Sequence, residues 1–307
     1  MPLSSDTIID RIYLKAQLRK WRLLAIAFAV VALLIAVGNS SKHSPTNSKS
    51  DYIARLSFNG IIGDDQKIYD LISDLEKDKK AKAVIVWIDS PGGSAVGGEE
   101  VYLRLKELST KKPVVTVMRS VAASAGYMIS LGTDYVFARE GTITGSIGVL
   151  IETAEVTELA QKLGIKPIAI KSAPLKASPS PFEKSTPEAE KVMHDMIMDF
   201  YDRFVRIMEE RRKIPHAQAL LLADGRVFSG RKAVETKLID AIGGEKEAID
   251  WLVKNRQISA DLDISDVKVE DKKDLLERIL EGSIGQFWQN SKTGANGLVS
   301  LWHAELN

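Results

Sequence analysis

Cysteine is absent from the 307 residues. Its absence excludes disulfides, a thiol nucleophile and thiolate metal sites, and leaves the redox compartment undecided. No charge of one sign dominates: 42 Lys and Arg stand against 41 Asp and Glu, a net charge of +1. No basic cluster stands out, so a nucleic-acid partner is not expected. Histidine is scarce, with four in the chain. No cluster of ligand-type residues suggests a metal or an organic cofactor, and none is expected. What is plentiful is apolar: 45% of the residues. That is enough to bury a sizeable core in one large domain or two smaller ones.

One apolar run is long. "LLAIAFAVVALLIAV", residues 23–37, carries no charge. Extended to Trp21 and Gly38, it comes near the roughly 17 residues that cross a bilayer. Arg22 lies at its edge, where it can snorkel to the headgroups. Arg11, Lys15, Arg19 and Lys20 precede the run, and Lys42 follows it. That asymmetry places residues 1–20 in the cytoplasm, an anchor over 21–38, and the rest of the chain across the membrane. The competing reading is a cleaved signal peptide, with Ala36 and Gly38 as the small residues before the cut. The basic lead-in is long for one.

Residues 39–51, "NSSKHSPTNSKSD", are polar and Ser-rich and read as a linker. Over 52–256 the pattern turns α/β. "YIARLSFNGII", "AKAVIVWIDS", "KPVVTVMRS", "DYVFAR", "SIGVLIE" and "KPIAIKS" read as strands. "DDQKIYDLISDLEKDKK", "EEVYLRLKELS" and "VTELAQKLG" read as helices between them. The alternation argues for a mainly parallel sheet with helical cover. Thr186-Pro187 supplies a cap and a first-turn proline for a long helix to Lys213. Its apolar positions are Met193, Ile197, Phe200, Tyr201, Phe204, Ile207 and Met208. A helix from Glu245 to about Lys254 closes the body. The tail, 257–307, is partly amphipathic; it reads either as a loosely packed end or as a segment docking on a neighbouring subunit or the membrane.

Two small-residue loops, each following a strand, carry the chemistry. "DSPGGSAVGG" begins at Asp89; Gly92-Gly93 lets its backbone turn and aim N–H groups into a cleft. "AASAGY" places Ser124 where a strand ends and a helix begins, with the Ala125 amide facing the same cleft. Two such amides suit a tetrahedral oxyanion. Each loop alone is more often a turn or tight packing than a site. A serine hydroxyl needs a base. Of the histidines, His43 lies in the linker, His303 in the tail, His194 in the long helix and His216 after "RRKIP". None sits at a strand end or in a glycine loop. Lysine is the alternative: Lys171, Lys176 and Lys184 lie in one segment with four prolines. A lysine acts as a base only when neutral, a form that desolvation favours.

"DSPGG", "AASAGY", "TGSIGV", the lysine loop ending in "SPF" and "ADGRVFSGRKA" occur in that order. Together they resemble the signal peptide peptidase A family, also called protease IV, in its half-length bacterial form. The resemblance covers about Asp51 to Asp250. It implies a Clp-protease/crotonase-like α/β fold, a ββα superhelix, behind an N-terminal transmembrane helix. It implies a Ser–Lys dyad of Ser124 and Lys176, with the backbone amides of Gly93 and Ala125 as oxyanion donors. Ala125 stands where many members have glycine, which keeps the amide and adds a methyl. "SAPLKASPSPF" replaces the more usual glycine- and tyrosine-containing lead-in. The resemblance further implies a membrane-anchored endopeptidase for remnant signal peptides, acting as a ring-shaped homo-oligomer whose neighbours share each dyad. Rival readings are a Clp-like Ser–His–Asp protease, a crotonase-type acyl-CoA enzyme and a catalytically silent membrane scaffold. Against the first, "GVLIE" stands where the Clp family carries its histidine.

Overall fold

Parallel strands covered on both faces are rich in apolar residues, and three strands with a largely buried apolar part build the centre of the sheet. They are β1 (Tyr52–Ile62), β2 (Ala81–Gly93) and β3 (Val114–Ala123). The computed structural model describes residues 20–22, 26 and 50–268. The read anchor at 21–38 lies outside the described residues apart from Trp21, Arg22 and Ile26, as do most of the linker and residues 269–307 of the tail. No helix among the described residues is long and apolar enough to cross a membrane.

β1, β2 and β3 pair in parallel, side by side. β3 then takes two partners in succession: β4 (Tyr135–Ala138) along Val115–Met118, and β5 (Ile143–Gly145) along Val121–Ala123. β6 (Val227–Ser229) closes one edge antiparallel to β5, and β7 (Ala241–Ile242) pairs with β4. β8 (Asp263–Val267) closes the other edge, parallel to β1.

Successive residues of a strand face opposite ways, and the two faces carry different helices. Ile85, Val115 and Val117 meet Ala248 and Leu252 of one helix (Glu245–Arg256) in a buried cluster. On the other face, Ile88 Cγ2 lies 3.4 Å from where a Cβ would stand on Gly126. Over residues 50–268 the helices are α1 (Gln66–Lys77), α2 (Ala95–Ser109), α3 (Ala125–Ser130), α4 (Thr157–Lys162), α5 (Pro187–Arg212), α6 (His216–Leu222), α7 (Gly230–Glu235) and α8, the Glu245–Arg256 helix. Their starts follow the sequence chemistry. Asp65 accepts from Lys67 N at the head of α1, and Ser94 from Gly97 N at the head of α2. Thr186 accepts from Ala189 N at the head of α5, ahead of Pro187.

Two expected strands do not form. "SIGVLIE" is not a strand: the strand comes earlier, at Ile143–Gly145, and ends where Gly145 (φ 82°) and Ser146 (φ 50°) turn the chain. "KPIAIKS" stays unpaired, with Ile168 87% and Ile170 97% exposed. Neither edge strand, β6 or β8, takes it as a partner. β8 was not anticipated: it falls inside the segment read as tail, so the sheet runs past residue 256.

Candidate active site

Strand β3 delivers Ser124 to the first turn of α3 in a conformation that L-residues rarely adopt, φ 52° and ψ −121°. Such a backbone costs about 1–3 kcal/mol and persists only where its surroundings hold it. Here Ser124 N donates to Gly145 O at 2.9 Å, and Met128 N donates to Ser124 O at 2.9 Å. The hydroxyl makes no capping bond to the helix. A sharp strand-to-helix turn that lifts a hydroxyl out of its own hydrogen-bonding reach is the geometry of a nucleophile elbow.

The glycine loop at the end of β2 closes on this serine. Gly92 has φ 127°, and a Cβ built there would fall 2.8 Å from Ser124 Cβ and 3.2 Å from its Oγ. Gly93 lies as close to β1: a Cβ there would stand 1.9 Å from Ile62 O. Ser90, fully buried, pins the turn by accepting from Gly92 N at 3.1 Å and donating to Gly92 O at 3.2 Å. Asp89 accepts from Val121 N at 3.1 Å, tying the loop to the strand that carries the serine. Gly98 lets α2 approach Ala125, whose Cβ would be 2.9 Å from a Cβ at position 98. The Ala125 amide opens α3, where the helix offers no acceptor of its own. Tyr127, two residues on, is fully buried and donates to Leu238 O at 2.9 Å; burial pushes its phenol well above the ordinary tyrosine range.

Ser124, Ala125 and Gly93 line one cleft of about 610 Å³. Its walls are mostly apolar, with Met128, Val149, Leu150, Ile151, Phe200 and Phe204. Arg203 and Glu99 add an ion pair at 2.7 Å. Lys176 is not among the lining residues of a single copy; it lies exposed on a loop where its amide donates to Ala173 O at 3.1 Å. In the same loop Lys171 is tied to Glu183. His194 is exposed on α5, and His216 meets Glu209 outside the cleft; His43 and His303 lie outside the described residues. The "GVLIE" stretch does reach the cleft, and Val149, Leu150 and Ile151 bring only apolar side chains. Among the described residues no group of three or more His, Asp or Glu could hold a metal ion.

Ser90, Gly98 and the Glu99–Arg203 pair were not singled out by the sequence reading. Ser90 stood in the quoted glycine loop, but its buried hydroxyl carries no mark of its pinning role. Arg203 sits on α5, far along the chain from Glu99, and only packing brings the two together.

A model described as peptidase family S49 matches residues 106–259, and one described as Clp protease matches residues 61–142. A protein of Enterococcus faecium with the provisional name signal peptide peptidase SppA is 35% identical over 223 residues, covering 67% of this chain and 64% of that protein. A provisionally named protease of Synechocystis sp. is 35% identical over 232 residues, covering 75% of this chain and 83% of that one. The match therefore spans a little under two thirds of the Enterococcus protein. Among solved structures, a mutant of a membrane-bound stomatin-specific protease aligns over 72% of this chain and 99% of that chain, at 16% identity and a TM-score of 0.45.

Proposed function

The chain belongs to peptidase family S49 and has a Clp protease-like α/β fold, and on that premise we propose that it is a serine endopeptidase with Ser124 as nucleophile. The observation that carries this reading is the strained Ser124 elbow, opening into an apolar cleft beside the Gly92-Gly93 loop. The Oγ attacks the scissile carbonyl, its proton passes to the Lys176 amine, and the tetrahedral oxyanion is held by the Gly93 and Ala125 amides. Lys176 then protonates the leaving amine, and water releases the acyl group by the same route. One such oxyanion donor is worth roughly 3 kcal/mol of barrier.

Lys176 is exposed in one copy. We therefore assign each dyad to two neighbouring copies of a homo-oligomer, whose contact removes water from the amine and favours its free form. Leu150 at 73% exposure, with Ile168 and Ile170, gives such a contact apolar surface. The apolar cleft suits apolar peptides. Together with the uncharged run at residues 23–37, this supports an enzyme anchored in the cytoplasmic membrane, its peptidase domain on the extracytoplasmic side, that degrades remnant signal peptides.

Wild type, Ser124→Ala and Lys176→Ala are assayed on an apolar fluorogenic peptide, with particle mass measured in parallel. Each variant loses at least roughly 10³-fold in kcat while still assembling. Co-assembling the two inactive variants restores part of the activity, because some sites then receive an intact serine and an intact lysine from different copies. Full activity in Lys176→Ala sends the base back to the histidines. Failure of complementation in mixed particles sinks the shared dyad.

A further inference from the structure

The apolar cleft at Ser124 contains one charged couple. Arg203 Nε on α5 donates to Glu99 Oε1 on α2 at 2.7 Å, and both side chains line the wall that carries Met128, Phe200 and Phe204. They are about two fifths exposed, and each is the other's sole ion-pair partner among the described residues. The bond is a single contact through Nε, so the terminal guanidinium nitrogens and the second carboxylate oxygen keep capacity for another group.

We propose that this pair sets the charge preference of the substrate cleft: mutually neutralised, it keeps the wall selective for uncharged side chains beside the scissile bond. The inference rests on the reading of Ser124 as nucleophile. A charged substrate side chain entering an apolar cleft gives up hydration and must find a compensating charge there. In the intact pair each charge is already compensated, so an incoming lysine meets Arg203 as well as Glu99, and an incoming glutamate meets Glu99 as well as Arg203. Specificity of this kind works by rejection as much as by attraction. Removing one partner leaves the other unopposed, and the wall acquires a sign. The expected change is the size of a half-exposed ion pair, roughly fivefold in relative kcat/KM.

The test is a competition in one tube among three peptides that differ only in the residue before the scissile bond: leucine, lysine or glutamate. Ratios measured within each variant are independent of its total activity. Arg203→Ala raises lysine relative to leucine, and Glu99→Ala raises glutamate relative to leucine, each by roughly fivefold. Arg203→Lys, which keeps the charge, retains the wild-type ranking. So does the swapped double variant, Glu99→Arg with Arg203→Glu, which also answers a fold lost in a single variant. Unchanged ratios in the folded single variants, or a shifted ratio in the swapped double, overturn the inference and leave the serine peptidase reading standing. Cleavage by wild type that survives Ser124→Ala overturns that reading instead.

Discussion

An alanine at position 92 would carry a methyl to within 2.8 Å of Ser124 Cβ, on a backbone at φ 127° that L-residues rarely adopt. Both faults fall on the loop that Ser90 pins and that the proposed Gly93 donor belongs to. Gly92→Ala is expected to lower stability by about 1–3 kcal/mol. Because misplacement by about 1 Å costs on the order of 10²-fold, kcat/KM should fall by about that factor. Gly141→Ala is the matched control, since a Cβ there meets nothing within 4 Å. Thermal unfolding and steady-state kinetics on the two variants separate strain from chemistry. A Gly92→Ala enzyme with wild-type kcat/KM would mean the loop does not position the oxyanion donors. Tyr127 illustrates a different residue-scale effect: burial pushes its phenol well above the ordinary tyrosine range, which favours the protonated form that donates to Leu238 O.

At the scale of elements, α5 depends on its start. Thr186 accepts from Ala189 N at 3.2 Å, Pro187 fixes the first turn, and buried packing comes mainly late in the helix, at Phe204, Val205, Ile207 and Met208. The early half buries only Ala189, while Val192, Met196 and Met198 are exposed. Thr186→Ala therefore costs about 1 kcal/mol, or roughly 2–4 °C in Tm for a body of this size. A melt unchanged within error would show that neighbouring contacts, not the cap, hold that end. This helix was legible in the sequence because cap, proline and apolar spacing agree. β1 was legible from its β-like alternation and β2 from a short apolar run, with β3 another such strand. "KPIAIKS" misled because it has strand chemistry, yet neither edge strand of the sheet takes it as a partner. Ser124, Gly93 and Ala125 could be placed together from loops that each follow a strand. Lys176 could not be placed against them, because within one copy it is exposed and does not line the cleft. The Arg203–Glu99 contact needed the packing of α5 on α2, which no local pattern encodes.

At the scale of the molecule, the sheet is closed by a strand that the sequence pattern hid. β8 pairs Asp263–Val267 with Tyr52–Leu56, and Val267 is 2% exposed. Ile258, Leu262 and Ile264 pack against the cluster beneath α8. Arg55 joins both ends of the body, donating to Glu245 at 2.7 Å and to Asp266 at 2.8 Å. A chain cut after residue 256 keeps the Arg55–Glu245 bond but loses β8, the Ile258, Leu262 and Ile264 packing and the Arg55–Asp266 bond, and bares the edge of β1, a run that includes Ile53 and Leu56, as a template for another strand. Burying Val267 alone is worth roughly 1.5–3 kcal/mol. A chain ending at residue 256 should therefore melt several degrees below one ending at residue 268, and should aggregate at concentrations where the longer form stays monodisperse. Equal melting temperatures and equal light scattering would show that the sheet is complete without β8. Because β1 also bears Ile62, whose carbonyl accepts from Ser94 N beside the glycine loop at 2.9 Å, loosening this edge reaches the cleft. The shorter form should lose kcat/KM before it loses its fold, measurable as an activity decline at temperatures below its own unfolding transition.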